Sequence, residues 1–253
     1  MSAIREHFSR FELKYLMHWR DVDPLIKSMK PYVVPDEHGD DGRYRVNSLY
    51  YDSPDLRAYF EKINGYLRRF KVRVRTYGHP TLDSSAFIEI KARDNQTVTK
   101  RRTFLTLGEA YRFMDGDEAD ITSSNPTVLA EIGGLRELYQ LQPTLSVSYQ
   151  RIAFKSIYEE DCRITFDVGV KASASDLALE TSCEGGQHIL PPQVAVLEVK
   201  VTNRAPSWLL TLLAKHECRI KRVSKYCMGI DRCVQLPDRW YPPVHGPQLG
   251  GVR

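Results

Sequence analysis

Apolar and polar residues alternate along several stretches of the chain, and a period of two marks β-strands with unlike faces. The sharpest case is Phe70–Arg75, FKVRVR, in which Lys71, Arg73 and Arg75 alternate with Phe70, Val72 and Val74. On a strand, residues i and i+2 share a face about 6.6 Å apart. Three cations at that spacing repel one another unless water or anions intervene. Alone the stretch reads as a solvated sheet face; its recurrence elsewhere shifts that balance.

In chain order, Phe8–Trp19 predicts a strand with Arg10, Glu12 and Lys14 opposite Phe11, Leu13 and Tyr15. Asp21–Tyr32 supplies a short helix ended at Pro31, with Leu25, Ile26 and Met29 inward, and Pro35–Gly42 a polar turn. A strand over Tyr44–Tyr51 follows, and Ser53-Pro54 then offers an N-cap and N1 proline for a helix to Asn64, closed by Gly65. After FKVRVR comes the turn Tyr77–Pro80, then a hairpin of Phe87–Arg93 (Glu89, Lys91 and Arg93 on one face) and Thr97–Leu105 (Lys100 and Arg102). Helical patches occupy Leu107–Met114 and Thr127–Leu138, the second weakened by Gly133-Gly134.

Thr144–Phe154 and Cys162–Val170 form another strand pair, with Arg163, Thr165 and Asp167 opposite Ile164, Phe166 and Val168. Parity places Arg151 with Leu145, Val147 and Tyr149, which requires either a bulge or a barrel whose interior changes character along its length. An excursion over 171–192 leads to the strand Val194–Val201, where Glu198 and Lys200 oppose Leu197, Val199 and Val201. Pro206–His216 reads as a helix, and Arg219–Tyr226 as a basic cluster containing Arg222 and Lys225. With no repeat and no linker, residues 1–235 read as one domain and the Pro- and Gly-rich 236–253 as a flexible tail. Strands with one charged face fit an open sheet covered by helices on its other side, or a closed barrel with a charged lumen.

Composition narrows the function. A net charge of +4 over 253 residues is small for a non-specific polyanion binder, so any basic site is local. Carboxylates interleaved with the cations also argue against a nucleic-acid partner, although Tyr50, Tyr51 and Tyr77 could stack on bases. No apolar run approaches the ~20 residues of a membrane span, so a membrane role would need a membrane-protein partner. The absence of a signal-peptide core and five cysteines without a CxxC pair suit a cytoplasmic location. His18, His79, His188 and His216 are scattered, and no Ser-His-Asp or Cys-His set stands out. Arginine's planar fork suits phosphate oxygens, and glutamates among the cations suit a hard divalent metal.

The segments Phe11–Tyr15, Ser48–Asp52, Lys71–Gly78, Glu89–Lys91, Lys100–Arg102, Tyr149–Arg151, Arg163–Asp167, Leu197–Lys200 and Ser224–Tyr226 carry a resemblance in order over about residues 8–232. The chain resembles the VTC (vacuolar transporter chaperone) domain, within the CYTH-like or triphosphate tunnel metalloenzyme superfamily. The resemblance implies a mainly β (α+β) fold: a closed eight-stranded antiparallel β-barrel tunnel with helices outside and a basic lumen for ATP, triphosphate or polyphosphate. Carried over by position, Arg73, Arg75, Lys91 and Lys225 would be catalytic, and Lys14, Lys71, Lys100, Arg102, Arg151, Arg163, Lys200 and Arg222 would bind substrate. Glu198, with Glu12 and Glu89 as weaker candidates, would hold Mn²⁺ or Mg²⁺. The superfamily opens with two alternating glutamates and a lysine, whereas the first position here is Arg10, which favours the VTC reading over two-metal hydrolysis. Three functions follow: a polyphosphate polymerase using ATP, a triphosphate or nucleoside-triphosphate hydrolase, and a non-catalytic polyphosphate- or phospho-ligand-binding module.

Overall fold

The computed structural model describes residues 10–95, 97–181, 185–202 and 204–236. The flexible tail expected from 236 onward lies, apart from Leu236, outside them. Strand β1 (Arg10–His18) leads into helix α1 (Val22–Met29), then β2 (Val33–Pro35), β3 (Arg43–Asp52), α2 (Arg57–Ile63) and β4 (Arg68–Tyr77). A hairpin of β5 (Ser85–Asp94) and β6 (Thr97–Thr106) precedes α3 (Leu107–Met114) and α4 (Pro126–Tyr139). The remainder is β7 (Gln142–Ser156), β8 (Arg163–Ser173), β9 (Gln187–His188), β10 (Val194–Thr202), α5 (Ser207–Lys215), β11 (Arg219–Ile220) and α6 (Lys225–Cys233).

All the strands join one antiparallel sheet in the order β11-β1-β10-β8-β7-β3-β4-β5-β6, with β2 added on β7 and β9 on β8. Two expectations are corrected here: the sheet has eleven strands rather than eight, and it is not closed. No ladder joins β6 to β1 or β11 among the described residues. The sheet instead curls until Lys91 on β5 meets Glu12 on β1 at 2.7 Å, so side chains bridge where the backbone does not. The result is a trough.

Its convex side carries two apolar cores, as the alternation requires. In one, Tyr15, Leu197, Val199, Ile164 and Phe166 pack against Leu25 and Met29 of α1 and Leu209 and Leu213 of α5. In the other, Val72, Val74, Ile88 and Ile90 pack against Leu107 and Phe113 of α3 and Ile132 of α4. Helix α3 begins with a capping box, in which Thr106 and Glu109 satisfy each other's backbone donors.

A third core lies inside the trough, which corrects the expectation of helices outside only. Val46, Leu145, Val147, Val170, Ala172 and Val196 line one end of the concave face, and Tyr226, Cys227 and Ile230 of α6 fill it. The approach is close: a Cβ on Gly229 would sit 2.4 Å from Leu145 Cδ2 and 3.1 Å from Ala172 Cβ. The position of Arg151 is thereby explained by the second alternative: it shares the concave face with Leu145, Val147 and Tyr149 on a trough interior that changes character along its length. The β7–β8 register does shift between Ser148 and Gln150, but its extra residue lies on β8 and leaves the parity of β7 unchanged; the interior passes from apolar beside α6 to charged beyond it.

Helix α2 starts later than the Ser53-Pro54 signal predicts, after Leu56 in the left-handed region (φ 54°). There Asp52, whose carboxylate accepts from the backbone N–H groups of Ser53, Ala58 and Tyr59, shares the capping with Ser53, whose Oγ accepts from Arg57 N–H at 3.0 Å. No helix among the described residues is long and apolar enough to cross a membrane.

Candidate functional site: a charged trough

Beyond α6, the concave face collects side chains from both halves of the curled sheet. On the β10 side, Glu198 is buried and meets Lys225 at 2.8 Å, Lys14 at 3.2 Å, Lys200 at 3.5 Å and Arg151 at 3.6 Å. Next to it Asp167, fully buried, takes both forks of Arg151 (2.7 and 2.8 Å) and Lys225 at 2.5 Å. Opposite, Glu89 holds Arg73 at 2.6 Å, Arg75 at 3.9 Å and Lys100. Glu12 connects the halves, contacting Lys91 at 2.7 Å and Lys14 at 3.7 Å.

Burial and charge compete at each group. Burial alone would raise the carboxyl pKa values, yet the surrounding cations prevail. Lys14 and Lys91 help bring Glu12 down to about 2, and Lys14, Lys225 and Lys200 hold Glu198 well below the usual range. Asp167 is lowered against burial by Arg151 and Lys225, and Glu89 by Arg73, Arg75 and Lys100. Lysines show the reverse balance: burial pulls Lys200 and Lys100 down to about 8, outweighing Glu198 and Glu89. Burial would also raise the Tyr50 phenol, but Arg73, Arg75 and Lys71 hold it at about 8, with Arg73 donating to its oxygen at 3.1 Å.

Nine cations (Lys14, Lys71, Arg73, Arg75, Lys91, Lys100, Arg151, Lys200 and Lys225) thus share the face with four carboxylates. That local excess exceeds the net charge of the whole chain, +4. Such a concave surface favours a multiply charged anion whose oxygens accept from several donors at once.

Of the expected residues, Lys71 is on the face but bound to α6, and Arg163, Arg102 and Arg222 lie towards the rims. Lys71 is tied to α6, donating to Ser224 Oγ at 3.0 Å. Arg163 reaches Asp36 and the Tyr44 hydroxyl, both at 2.8 Å. Arg102 is exposed, 4.6 Å over the Phe87 ring, and Arg222 is exposed in the turn before α6. Asp167, Tyr50 and Tyr149 belong to the site without having been singled out as site residues. Asp167 had a signal, since it shares the strand face of Arg163 and Thr165.

Two of these carboxylates are placed to share a divalent metal. Glu198 and Glu12 stand on neighbouring strands, the Glu198 charge opposing ionisation of Glu12, and Lys14 Nζ lies between them at 3.2 and 3.7 Å. A positive charge is therefore already stabilised between two hard oxygen donors, and these residues fit a divalent ion. Glu89 does not join them; its carboxylate is enclosed by Arg73, Arg75 and Lys100. A separate trio, Asp36, Glu37 and His38, brings its ligand atoms within 4.8 Å of one another in the turn after β2, with Asp36 bound to Arg163 and Glu37 to Lys155.

A family model described as the VTC domain matches residues 9–234. Vacuolar transporter chaperone complex subunit 4 of Trypanosoma brucei brucei is 26% identical over 274 residues, covering 88% of this chain and 34% of that protein. The subunit 4 of Schizosaccharomyces pombe is 24% identical over 290 residues, covering 95% and 40%. The chain thus spans about a third of the length of the first of these relatives. Among solved structures, a Bacillus halodurans protein described as a candidate adenylate cyclase aligns with TM-score 0.50 and 13% identity over 86% of this chain and 94% of that one. A Hippeastrum protein described as a candidate adenylyl cyclase with dominant triphosphatase activity aligns with TM-score 0.52 and 10% identity, over 88% and 96%. At such identity the likeness is one of fold.

Proposed function

Because the chain belongs to the VTC domain family, we propose that its trough binds triphosphate or inorganic polyphosphate and transfers the γ-phosphoryl group of ATP to a growing phosphate chain. The observation that carries this reading is the excess of cations over carboxylates on one concave face, drawn from β1, β4, β5, β6, β7, β10 and α6. In the transfer, a terminal oxygen of the chain attacks the γ-phosphorus in line, the bond to the bridging oxygen breaks, and ADP leaves with that oxygen. Such chemistry asks for positioning and charge neutralisation more than for a covalent nucleophile.

Arg73 and Arg75 present forked donors to equatorial oxygens, Lys91 and Lys225 add point charges, and Lys14, Lys100, Arg151 and Lys200 hold the flanking phosphates. Glu198 with Glu12 would hold Mn²⁺ or Mg²⁺, which supplies neutralisation of phosphate charge. Anion binding would draw the cations away from Glu89, Glu12 and Glu198, and the same carboxylates keep them apart in its absence. The relatives are named as subunits of a vacuolar transporter chaperone complex; by that analogy the domain works in the cytoplasm beside membrane-protein partners.

Incubation with γ-labelled ATP and Mn²⁺ tests the reading. A long acid-labile polymer is expected; free phosphate alone would make the protein a hydrolase, and no turnover a binding module.

A further inference from the structure

The two ends of the trough differ. Along the concave face of β4, Arg69 and Tyr77 are eight residues apart, roughly 26 Å. At the Tyr77 end the rings of Tyr44, Tyr77, Phe87 and Phe104 meet edge to face at 5.7 to 6.0 Å. The Arg69 end runs beside α6, whose Ser224 and Cys227 face Lys71, and on the β4–β5 side of that helix the neighbours are cations. Arg69 stands directly opposite Arg93 in the β4–β5 register, and the next concave rung pairs Lys71 with Lys91.

Like charges directly opposite in a sheet destabilise it, and two successive rungs compound the cost. The inner rung is relieved, Lys71 by Ser224 Oγ and Lys91 by Glu12. The outer rung is relieved less: among the described residues neither Arg69 nor Arg93 comes within ion-pair distance of a carboxylate, Glu61 attracts Arg69 only from further off, and each arginine donates to a backbone oxygen, of Tyr66 and Asn95. Lys62 adds to the crowd. Burial and then Arg69, Arg222 and Arg93 pull its pKa down, while burial and Arg93 do the same to Arg69.

A cavity of about 310 Å³ opens beside this rung, with Arg69 and Arg93 in its wall. Its other two arginines are already committed, Arg57 to Glu61 at 2.6 Å and Arg68 to Asp94 at 3.3 Å. Phe70, Ala92, Thr97 and Thr99 of its wall belong to the opposite face of the sheet, so the excess positive charge lies where the concave face turns over the strand ends into the cavity.

We infer that a phosphate chain longer than a triphosphate leaves the trough by this end, running between Arg69 and Arg93 and past Lys62 towards the cavity. The inference rests on the proposed polyphosphate reading and gives it a direction. Arg69 lies four residues, roughly 13 Å, from Arg73 along β4. The outer rung is thus a separate subsite that only a chain extending out of the trough would fill.

The test is chain-length discrimination, by titration calorimetry with tripolyphosphate and with a polyphosphate of some tens of units at one ionic strength. The triple variant Lys62→Gln, Arg69→Gln, Arg93→Gln is expected to bind the long chain about tenfold more weakly, since three cations near the surface are removed. Its tripolyphosphate affinity stays within about twofold. The charge-keeping double variant Arg69→Lys, Arg93→Lys retains long-chain affinity. Equal loss for both ligands, no loss for either, or loss in the lysine variant overturns the inference. If the unaltered protein binds no tripolyphosphate, the underlying functional reading falls instead.

Discussion

Replacing Lys225 with methionine isolates the most buried part of the network. Its ammonium lies 2.5 Å from Asp167 Oδ2 and 2.8 Å from Glu198 Oε1, and all three side chains are at most 7% exposed. Methionine keeps an unbranched stem against Tyr149, whose ring centroid lies 4.7 Å from Nζ. It leaves two buried carboxylates without their shared cation. Breaking a buried pair by removing one partner costs about 3–5 kcal/mol. Here Asp167 keeps Arg151 and Glu198 keeps Lys14, so the lower figure applies, about 3 kcal/mol. Urea unfolding at neutral pH measures it as a lower midpoint at unchanged slope. Adding Glu198→Gln removes the repulsion between the carboxylates, and the double variant should recover at least about 1 kcal/mol relative to the sum of the single losses. A loss below about 1 kcal/mol for Lys225→Met, or strict additivity in the double variant, would refute the reasoning.

Other consequences follow from the same geometry. Tripolyphosphate at a hundred times its dissociation constant adds about 2.7 kcal/mol to stability; at roughly 2–4 °C per kcal/mol, the melting temperature should rise at matched chloride ionic strength, and no rise counts against a phosphate site. Lys200, held at about 8 against an ordinary 10.5, is more protonated in the unfolded chain within that window. Its contribution to stability therefore grows as pH rises from about 8 to 10.5, and Lys200→Arg, which stays charged, should flatten that rise in pH-dependent unfolding. For the same reason tripolyphosphate binding near pH 8 should take up protons, seen as buffer-dependent heats, and less so in Lys200→Arg. Glu198→Gln keeps the shape but removes the charge between Lys14, Lys200, Arg151 and Lys225. It should abolish metal-dependent turnover with tripolyphosphate affinity unchanged or tighter; weakened binding with unaltered metal dependence would make Glu198 a structural counter-charge only.

The strands were legible because alternation is local: FKVRVR, FIEIKAR and VAVLEVKV each state both faces within a few residues. Closure was not. Whether β6 pairs with β1 depends on backbone groups at two edges far apart in sequence, and neither strand's pattern encodes its distant neighbour. Helix α6 was hidden by its own composition. Tyr226, Cys227 and Ile230 have helical spacing after the Ser224 cap, yet they follow RIKRVSK, and charge dominated the reading. With α6 unseen, the apolar half of the concave face had no partner, which left Arg151 unexplained. Asp167 could be assigned to the charged face but not to its role, because both forks of Arg151 come from the adjacent strand and Lys225 from a helix 58 residues on. Lys71 was placed on the right face, and only the fold shows that its ammonium is held by the N-cap serine of α6.

The central claim is that the trough face itself is the phosphate site, and calorimetric titration of tripolyphosphate into the unaltered protein and Arg73→Ala tests it most directly. Arg73 stands between Glu89 and Tyr50 on the concave face. The account predicts saturable binding to the unaltered protein at matched ionic strength, weakened by about 1.5–3 kcal/mol in the variant through one lost charge-assisted contact. Equal affinity in both proteins, or no saturable binding to either, would contradict it.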